Sequence, residues 1–189
     1  MKIGTYSYEE YIEKVISFHG SVAPGMIAGG FMVDLARTNL PPGEFFDVIC
    51  EASHCLPDAV QILTPCTIGN GWLKIVPTGR FAVIFFEKHT GAGTRVFMDP
   101  EKLEKWSEIK SWFFRIIPKH QQDSALLVSQ LQEAGNSIYS IEQVTVKERF
   151  ITKIVKETPA IILCPSCGEA YPENFGVPCP ACAGNGPCE

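Results

Sequence analysis

Apolar residues near the start of the chain recur at the spacing of an amphipathic helix. Ser7 and Glu10 have the spacing of a capping box, and Gly20 is a typical helix stop. Between them, apolar side chains follow one another at intervals of three and four positions: Tyr8, Tyr11, Ile12, Val15 and Ile16. A second helix is predicted to begin at Pro24, a favourable first-turn residue.

Short apolar runs and turn residues alternate through the middle of the chain. They predict strands over 45–52, 72–76, 81–87, 94–98 and 138–150. A turn at Thr78-Gly79 predicts that 72–76 and 81–87 form a β-hairpin. Further helices are predicted over 57–63, 100–113 and 119–134. Because strands and helices are intermixed, we expect an α+β domain with a mixed β-sheet flanked by helices.

The composition changes near residue 158. From Thr158 onward the chain is rich in proline and glycine and contains no lysine or arginine. A segment of this size is too short to fold on buried apolar area alone. We therefore predict a boundary near Glu157–Pro159, with domains at 1–157 and 158–189, the second beginning with a short strand over 161–163.

The C-terminal domain contains two CxxC pairs. Cys164 and Cys167 form the first, and Cys179 and Cys182 form the second. Four thiolates with this spacing can surround one Zn²⁺ ion as a tetrahedron, and such sites contribute about 10–16 kcal/mol to folding. Redox CxxC pairs are the alternative, but they belong at a helix start in a βαβ context, and a turn is expected after Cys167. We predict one structural zinc in a zinc ribbon, with Cys188 left as a free tail thiol.

Composition and charge narrow the classes of function. With 46% apolar residues among 189, the chain is expected to be globular, and its net charge of −5 argues against a nucleic-acid partner. The ribbon, without lysine or arginine, does not fit phosphate binding either. No apolar run reaches the roughly 18–20 residues of a membrane-spanning helix, and the first residues lack a secretory signal. Eight cysteines are then expected as reduced thiols or metal ligands, in the cytoplasm.

The central cysteines and two histidines are candidates for chemistry. Cys55 directly precedes a predicted helix, whose N-terminus favours a thiolate, and Cys66 precedes a glycine-rich turn. His19 or His54 can supply an imidazole as the base of a nucleophile–base pair. The alternative is that these cysteines are ordinary core residues, as we expect for Cys50. The candidate site residues are thus His19, Cys55 and Cys66.

Three short motifs then give the chain a family resemblance. They are Phe18-His-Gly…Ala23-Pro-Gly25, Cys55-x-x-Asp58-Ala-Val-Gln61 and Cys66-Thr-x-Gly-Asn70. With Thr94-Arg-Val and Asp99-Pro-Glu further on, the chain resembles the FmdE family of formylmethanofuran dehydrogenase subunits in its two-domain version. The resemblance implies a thioredoxin-like α+β core with a mixed sheet, a treble-clef-like C-terminal zinc ribbon and a homodimer. It also implies association with the molybdenum or tungsten enzyme that interconverts carbon dioxide and formylmethanofuran.

Two positions depart from the family's first motif, which resembles FHGHxCPG. Ser21 stands in place of the second histidine, and Ala23 stands in place of the cysteine. Of that group of plausible ligands only His19 and Cys55 remain, and even catalytic zinc sites normally use three protein ligands. We therefore predict that the cleft of the first domain has lost its tightly bound metal.

Two classes of function stay open on this evidence. The first is an accessory or regulatory component of a formylmethanofuran-dehydrogenase-type oxidoreductase, with no catalysis of its own required. The second is a Cys/His-dependent enzyme, or a small-molecule or metal-binding module, that acts through the cleft of the first domain. In the metal-binding version, a partner chain at a dimer interface supplies the missing ligands.

Overall fold

The computed structural model describes residues 1–40, 46–151 and 159–188. These residues form two units, 1–151 and 159–188, and each is described by itself below. The boundary predicted near Glu157–Pro159 falls mainly on residues 152–158, which lie outside the described residues.

The first unit combines helices with a mixed sheet. Its helices are α1 (Tyr8–His19), α2 (Pro24–Thr38), α3 (Leu56–Leu63), α4 (Ser107–Phe113) and α5 (Ser124–Ala134). Its strands are β1 (Lys2–Ile3), β2 (Tyr6–Ser7), β3 (Phe46–Cys50), β4 (Leu73–Ile75), β5 (Ala82–Glu87), β6 (Ala92–Met98) and β7 (Tyr139–Thr145). Five of them form a sheet in the order β4-β3-β5-β6-β7, parallel between β3 and β4 and antiparallel elsewhere. The predicted α+β class with a mixed sheet is confirmed.

The predicted hairpin over 72–76 and 81–87 is wrong, because β3 lies between these two strands. Strand β4 pairs in parallel with β3, and β5 pairs with the other edge of β3 in antiparallel. Helix α3 provides the crossover that a parallel β3–β4 pair requires. The segment that connects β4 to β5 must therefore cross the end of β3. It covers roughly two strand spacings of about 4.8 Å each, which a two-residue turn does not span. Its path is fixed by hydrogen bonds from the N–H groups of Val76 and Thr78 to the carbonyls of Cys50 and Glu51.

Local hydrogen bonds set the ends of the other elements. The capping box at Ser7 and Glu10 is formed, and Gly20 ends α1 with φ of 85°. The helix predicted over 100–113 is divided into a 3₁₀ turn at Pro100–Leu103 and α4. The helix predicted over 119–134 is likewise divided, because the Asp123 carboxylate caps α5 by accepting the N–H of Leu126.

The first unit is organised around α2, which is buried on nearly every side. It packs against α3, α5, β5 and β6. Its glycines allow this closeness: a Cβ added to Gly30 would lie 2.6 Å from the ring of Tyr11, and one added to Gly29 would lie 3.0 Å from Cβ of Ala59. The Tyr11 hydroxyl donates a hydrogen bond of 2.7 Å to the carbonyl of Met26. The tyrosine of α1 is therefore fixed against the glycine face of α2.

A buried ion pair ties strands β6 and β7 to the loop after β3. The Glu51 side chain is only 5% exposed and accepts hydrogen bonds from Arg95 (2.7 Å) and the Thr78 hydroxyl (2.9 Å). It also forms an ion pair with Arg80 at 2.7 Å. Arg95 also donates to the carboxylate of Glu142 on β7 at 3.0 Å. Burial alone would raise the pKa of the Glu51 carboxyl, but its hydrogen bonds from Arg95 and Thr78 and the nearby arginine charges lower that pKa overall.

We expect Glu51→Gln to lower the free energy of unfolding by about 1–3 kcal/mol at pH 7, because Arg95 keeps a buried charge without its carboxylate. The folded pKa of Glu51 is lowered, so its stabilisation is present above the unfolded pKa of about 4.3 and is lost as pH falls through the folded value. Urea unfolding at pH 7 and at decreasing pH should show that the difference in free energy of unfolding between wild type and Glu51→Gln becomes smaller in acid. Glu142→Gln, at a half-exposed carboxylate, is the control with a smaller effect. A difference that does not change with pH would contradict the assignment.

We expect Gly30→Ala to lower the free energy of unfolding by about 1–3 kcal/mol, because its methyl group would overlap the buried ring of Tyr11. The cost of the overlap should therefore be larger than the gain of about 1 kcal/mol that alanine brings in helix propensity. Gly69→Ala is the matched control, since the nearest atom to its added Cβ is 3.9 Å away. Thermal unfolding of both variants measures the contrast, and equal stabilities would show that α2 can move away from α1.

Candidate functional site

The second unit is a small two-stranded ribbon that brings four cysteines together. Strands β8 (Ile161–Leu163) and β9 (Ala170–Pro172) pair in antiparallel. Cys164 follows β8 directly, and its backbone forms a tight knuckle in which Gly168, with φ of 77°, donates its N–H to the Cys164 carbonyl. Cys182 lies in the helical turn Ala181–Asn185, one turn after Cys179.

The four sulfur atoms of this ribbon have the arrangement of a tetrahedral metal site. They come from Cys164, Cys167, Cys179 and Cys182 and lie within 4.8 Å of one another. The sulfurs of Cys167 and Cys179 are 3.9 Å apart, close to the roughly 3.8 Å expected when each Zn–S bond is about 2.3 Å. The backbone N–H of Cys179, with that of Cys167, lowers the pKa of the Cys164 thiol to about 6, which favours the thiolate that a metal requires. The donor set therefore fits one zinc ion.

The first unit contains a wide cleft of about 1600 Å³. One side is the start of α2 with the segment before it, and the loop after β3 lies beside it. Three aromatic residues, Phe81, Trp112 and Phe113, form an apolar wall, in which Phe81 and Trp112 meet edge to face with ring centroids 6.3 Å apart. Four cationic residues also line the cleft: Arg80, Arg95, Arg115 and Lys119.

Near the start of α2, three side chains of the first unit form a hydrogen-bonded row. Nε2 of His19 lies 4.0 Å from Sγ of Cys55, and Nδ1 of the same ring lies 2.7 Å from Oδ2 of Asp58. His19 is the last residue of α1 and Asp58 belongs to the first turn of α3, so each lies at a helix end of complementary partial charge. The carboxylate fixes the orientation of the ring, and the other ring nitrogen faces the thiol.

Cys55 has a strained backbone. Its φ of 58° and ψ of −56° place it at the centre of a γ-turn, closed by a hydrogen bond of 2.6 Å from the Leu56 N–H to the His54 carbonyl. Such a conformation costs about 1–3 kcal/mol for a residue other than glycine and is concentrated at functional sites. The turn directs the Cys55 side chain towards the first turn of α2, where a Cβ added to Gly25 would lie 3.0 Å from Sγ.

The surroundings of Cys55 favour the protonated thiol at rest. Burial raises the pKa of the Cys55 thiol, the Asp58 carboxylate raises it further, and the Lys119 ammonium opposes both. A base is therefore needed to remove the proton when the sulfur reacts. His19 is the imidazole in reach of this sulfur, whereas His54 is exposed and its carbonyl is used in the γ-turn.

The other central cysteines lie in the core. Cys66 and Cys50 are both fully buried, and neither lines the cleft. The Cys66 thiol donates to the carbonyl of Phe46, and burial raises the pKa of Cys66 to about 11 and that of Cys50 to about 12. The structure thus brings together two of the three candidate residues, His19 and Cys55, and places Cys66 elsewhere.

Ser21 and Ala23 both line the same cleft as Cys55. Neither offers an imidazole or a thiol. Within residues 1–40, 46–151 and 159–188, the ribbon cysteines are the one group of three or more His, Cys, Asp or Glu side chains close enough to hold a metal ion.

Sequence reasoning assigned no chemical role to three residues: Asp58, which contacts His19, and Arg115 and Lys119, which line the cleft. Asp58 follows Cys55 by three positions, the spacing of neighbours on one helix face, and this signal is present in the sequence. Arg115 and Lys119 are far from Cys55 in sequence, and no local pattern connects them to it.

No helix among the described residues is both long enough and apolar enough to span a bilayer.

Comparison with known proteins gives matches over both units. Residues 18–148 match the family described as FmdE, molybdenum formylmethanofuran dehydrogenase operon, and residues 155–189 match the FmdE treble clef zinc finger. A solved structure, that of an FmdE-like protein of the tungsten formylmethanofuran dehydrogenase type from Syntrophus aciditrophicus, is 48% identical. The match covers 100% of both chains with a TM-score of 0.91.

A curated relative from Archaeoglobus fulgidus, named a probable S-adenosyl-L-methionine-binding protein, is 28% identical over 168 residues. The match covers 80% of this chain and 46% of that protein, so the chain spans about half the length of this relative.

The zinc-finger match and the four-cysteine cluster together support one structural zinc in the C-terminal ribbon. The family match covers more than half of the chain and includes the row of Cys55, His19 and Asp58. On this evidence the chain belongs to the FmdE family, in the form that carries a C-terminal treble clef zinc finger.

Proposed function

We propose that this chain is an accessory or regulatory FmdE-like protein of a molybdenum or tungsten formylmethanofuran-dehydrogenase-type oxidoreductase. The observation that carries the proposal is the likeness to the FmdE-like protein of Syntrophus aciditrophicus, which extends over the whole of both chains. The proposal includes the thioredoxin-like core, the homodimer and the cytoplasmic location expected from the sequence.

The zinc ribbon is structural in this proposal, with Cys164, Cys167, Cys179 and Cys182 as the four ligands. A complete set of four sulfurs leaves no open position for substrate, as in other structural zinc sites. The ribbon then presents an uncharged to acidic surface suited to another protein rather than to nucleic acid.

The cleft of the core works without a tightly bound metal in this proposal. Only Cys55 and His19 offer ligand atoms at the positions expected from the family motif, because Ser21 and Ala23 occupy the other two. Two ligands fall short of the three protein ligands of a catalytic zinc site.

A second candidate function is favoured by one observation, the row formed by Cys55, His19 and Asp58. In this alternative the cleft carries out Cys/His-dependent chemistry, or binds a small molecule, in its own right. S-adenosyl-L-methionine is one molecule to test, since the name of the Archaeoglobus relative gives it for that protein.

We expect the reduced full-length chain to contain one equivalent of zinc by elemental analysis. A Cys164→Ser, Cys179→Ser variant should contain none, because two ligands hold zinc poorly. A Cys55→Ser variant is the matched control and should keep its single equivalent. Two equivalents in the wild-type chain, or zinc retained by the ribbon variant, would contradict the division between a zinc-bearing ribbon and a metal-free cleft.

We expect affinity capture of the tagged chain from an anaerobic lysate of its host to recover subunits of a pterin-dependent oxidoreductase. The ribbon variant Cys164→Ser, Cys179→Ser should recover less if the ribbon is the docking element, while Cys55→Ser should recover as much as wild type. Capture without any component of a pterin enzyme would argue against the accessory role and leave the second candidate in its place.

A further inference from the structure

The cleft is lined by the strained Cys55 and by two cations, Arg115 and Lys119, and the oriented imidazole of His19 contacts the sulfur of Cys55. We propose that Cys55 is the nucleophile of an acyl-transfer site for thioesters or activated esters whose acyl group carries an anionic substituent. This inference rests on the second candidate function and does not depend on assembly with an oxidoreductase.

The base for this chemistry is His19. When its Nδ1–H is donated to Asp58, the Nε2 lone pair faces the thiol of Cys55, which is the tautomer that a general base requires. The separation of 4.0 Å between Nε2 and Sγ is at the long limit of a thiol hydrogen bond, and catalytic hydrogen bonds are often this long in the absence of substrate. Asp58 does not touch the substrate and is a positioning residue.

Other chemistry of a cleft cysteine fits less well. A dithiol redox site needs a second thiol, and the other two cysteines of the core, Cys50 and Cys66, are fully buried away from the cleft. A zinc site needs a third ligand, which the described part of the chain does not place beside Cys55 and His19. Nucleophile, base and orienting carboxylate together are the set used for acyl transfer.

The proposed reaction has two steps, acylation of Cys55 and hydrolysis of the acyl-cysteine. Sγ of Cys55 attacks the carbonyl carbon, its proton passes to Nε2 of His19 and then to the departing thiol or alcohol, and the bond from the carbonyl carbon to the leaving atom breaks. Water then attacks the acyl-cysteine, the carbon–sulfur bond breaks, and a carboxylic acid and the free thiol of Cys55 are formed. The first turn of α2 lies next to Sγ, since a Cβ added to Gly25 would be 3.0 Å from it. The N–H groups of a first helical turn have no acceptor within the helix, so this turn can stabilise the carbonyl oxygen.

Two cations indicate an anionic substituent. Lys119 is close enough to Cys55 to act on its charge, and Arg115 lines the same cleft. Within the described residues neither side chain has a hydrogen bond or ion pair, in contrast to Arg80 and Arg95, which bind Glu51. The aromatic wall beside them suits the apolar body of such a substrate.

Alkylation of the reduced full-length chain tests the nucleophile and the anion preference separately. Each cysteine is followed by peptide mass spectrometry with iodoacetate and with neutral iodoacetamide. At an ordinary thiolate the neutral reagent reacts faster, because the carboxylate of iodoacetate is repelled, and exposed Cys188 is the internal reference. We expect the ratio of iodoacetate to iodoacetamide rates to be about tenfold higher at Cys55 than at Cys188.

Variants of the cations test where that preference originates. The double variant Arg115→Gln, Lys119→Gln should bring the ratio at Cys55 to the value at Cys188. Lys105→Gln, a change outside the cleft, should leave the ratio as in wild type. A wild-type ratio at Cys55 equal to that at Cys188 would overturn the anionic substrate class.

Acylation tests the reaction itself. With p-nitrophenyl hydrogen succinate we expect a burst of nitrophenol and a succinyl adduct on Cys55, faster than the adduct formed from uncharged p-nitrophenyl butyrate. Cys55→Ala should abolish the adduct, and His19→Gln should slow it at least about a hundredfold. Asp58→Asn should alter the pH profile of acylation, and Asp58→Glu should restore part of the rate.

The outcomes distinguish failure of acyl transfer from failure of the Cys/His-dependent function on which it rests. An adduct that survives Cys55→Ala, or no adduct on a wild-type chain whose Cys55 reacts with iodoacetamide, would overturn acyl transfer while keeping a reactive thiol. Failure of Cys55 to react with either reagent would overturn the Cys/His-dependent function itself. None of these results bears on capture of oxidoreductase subunits, which tests the accessory role.

Discussion

The close approach of other elements to α2 is the constraint on which the rest of the core unit depends. Three glycines of α2 leave space that side chains of other elements fill. Cys55 lies against Gly25, Ala59 of α3 lies against Gly29, and Tyr11 of α1 lies against Gly30. Glycine is costly in a helix, by about 1 kcal/mol relative to alanine, so its use here indicates that packing outweighs propensity. The same closeness that organises the core also seats the sulfur of Cys55 against the first turn of α2.

Local sequence signals were reliable where one element decides the outcome. The capping box at Ser7 and Glu10, the stop at Gly20 and the start at Pro24 lie where the pattern put them, since each depends on neighbours in sequence. The hairpin between the fourth and fifth strands was wrongly predicted, because strand pairing depends on what else competes for the same edge. Here β3 occupies the place between them.

The candidate site divides in the same way. Both CxxC pairs are local, and their spacing was enough to predict that the four cysteines of the ribbon come together. Cys55 and His19 were identified as candidates, but their distance of 4.0 Å and the role of Asp58 come from the packing of α1 against α3. Cys66 has the same residue type and a glycine-rich neighbourhood, yet it is buried, and no pattern along the chain distinguishes it from Cys55. Arg115 and Lys119 reach the cleft only through the tertiary fold.

The position of Cys55 between β3 and α3 has a mechanical consequence. The residue lies at the bend of the βαβ crossover, and through His19 and Asp58 it connects the end of one helix to the beginning of another. Any group bound to its sulfur is thereby held to the sheet and to both helices at once.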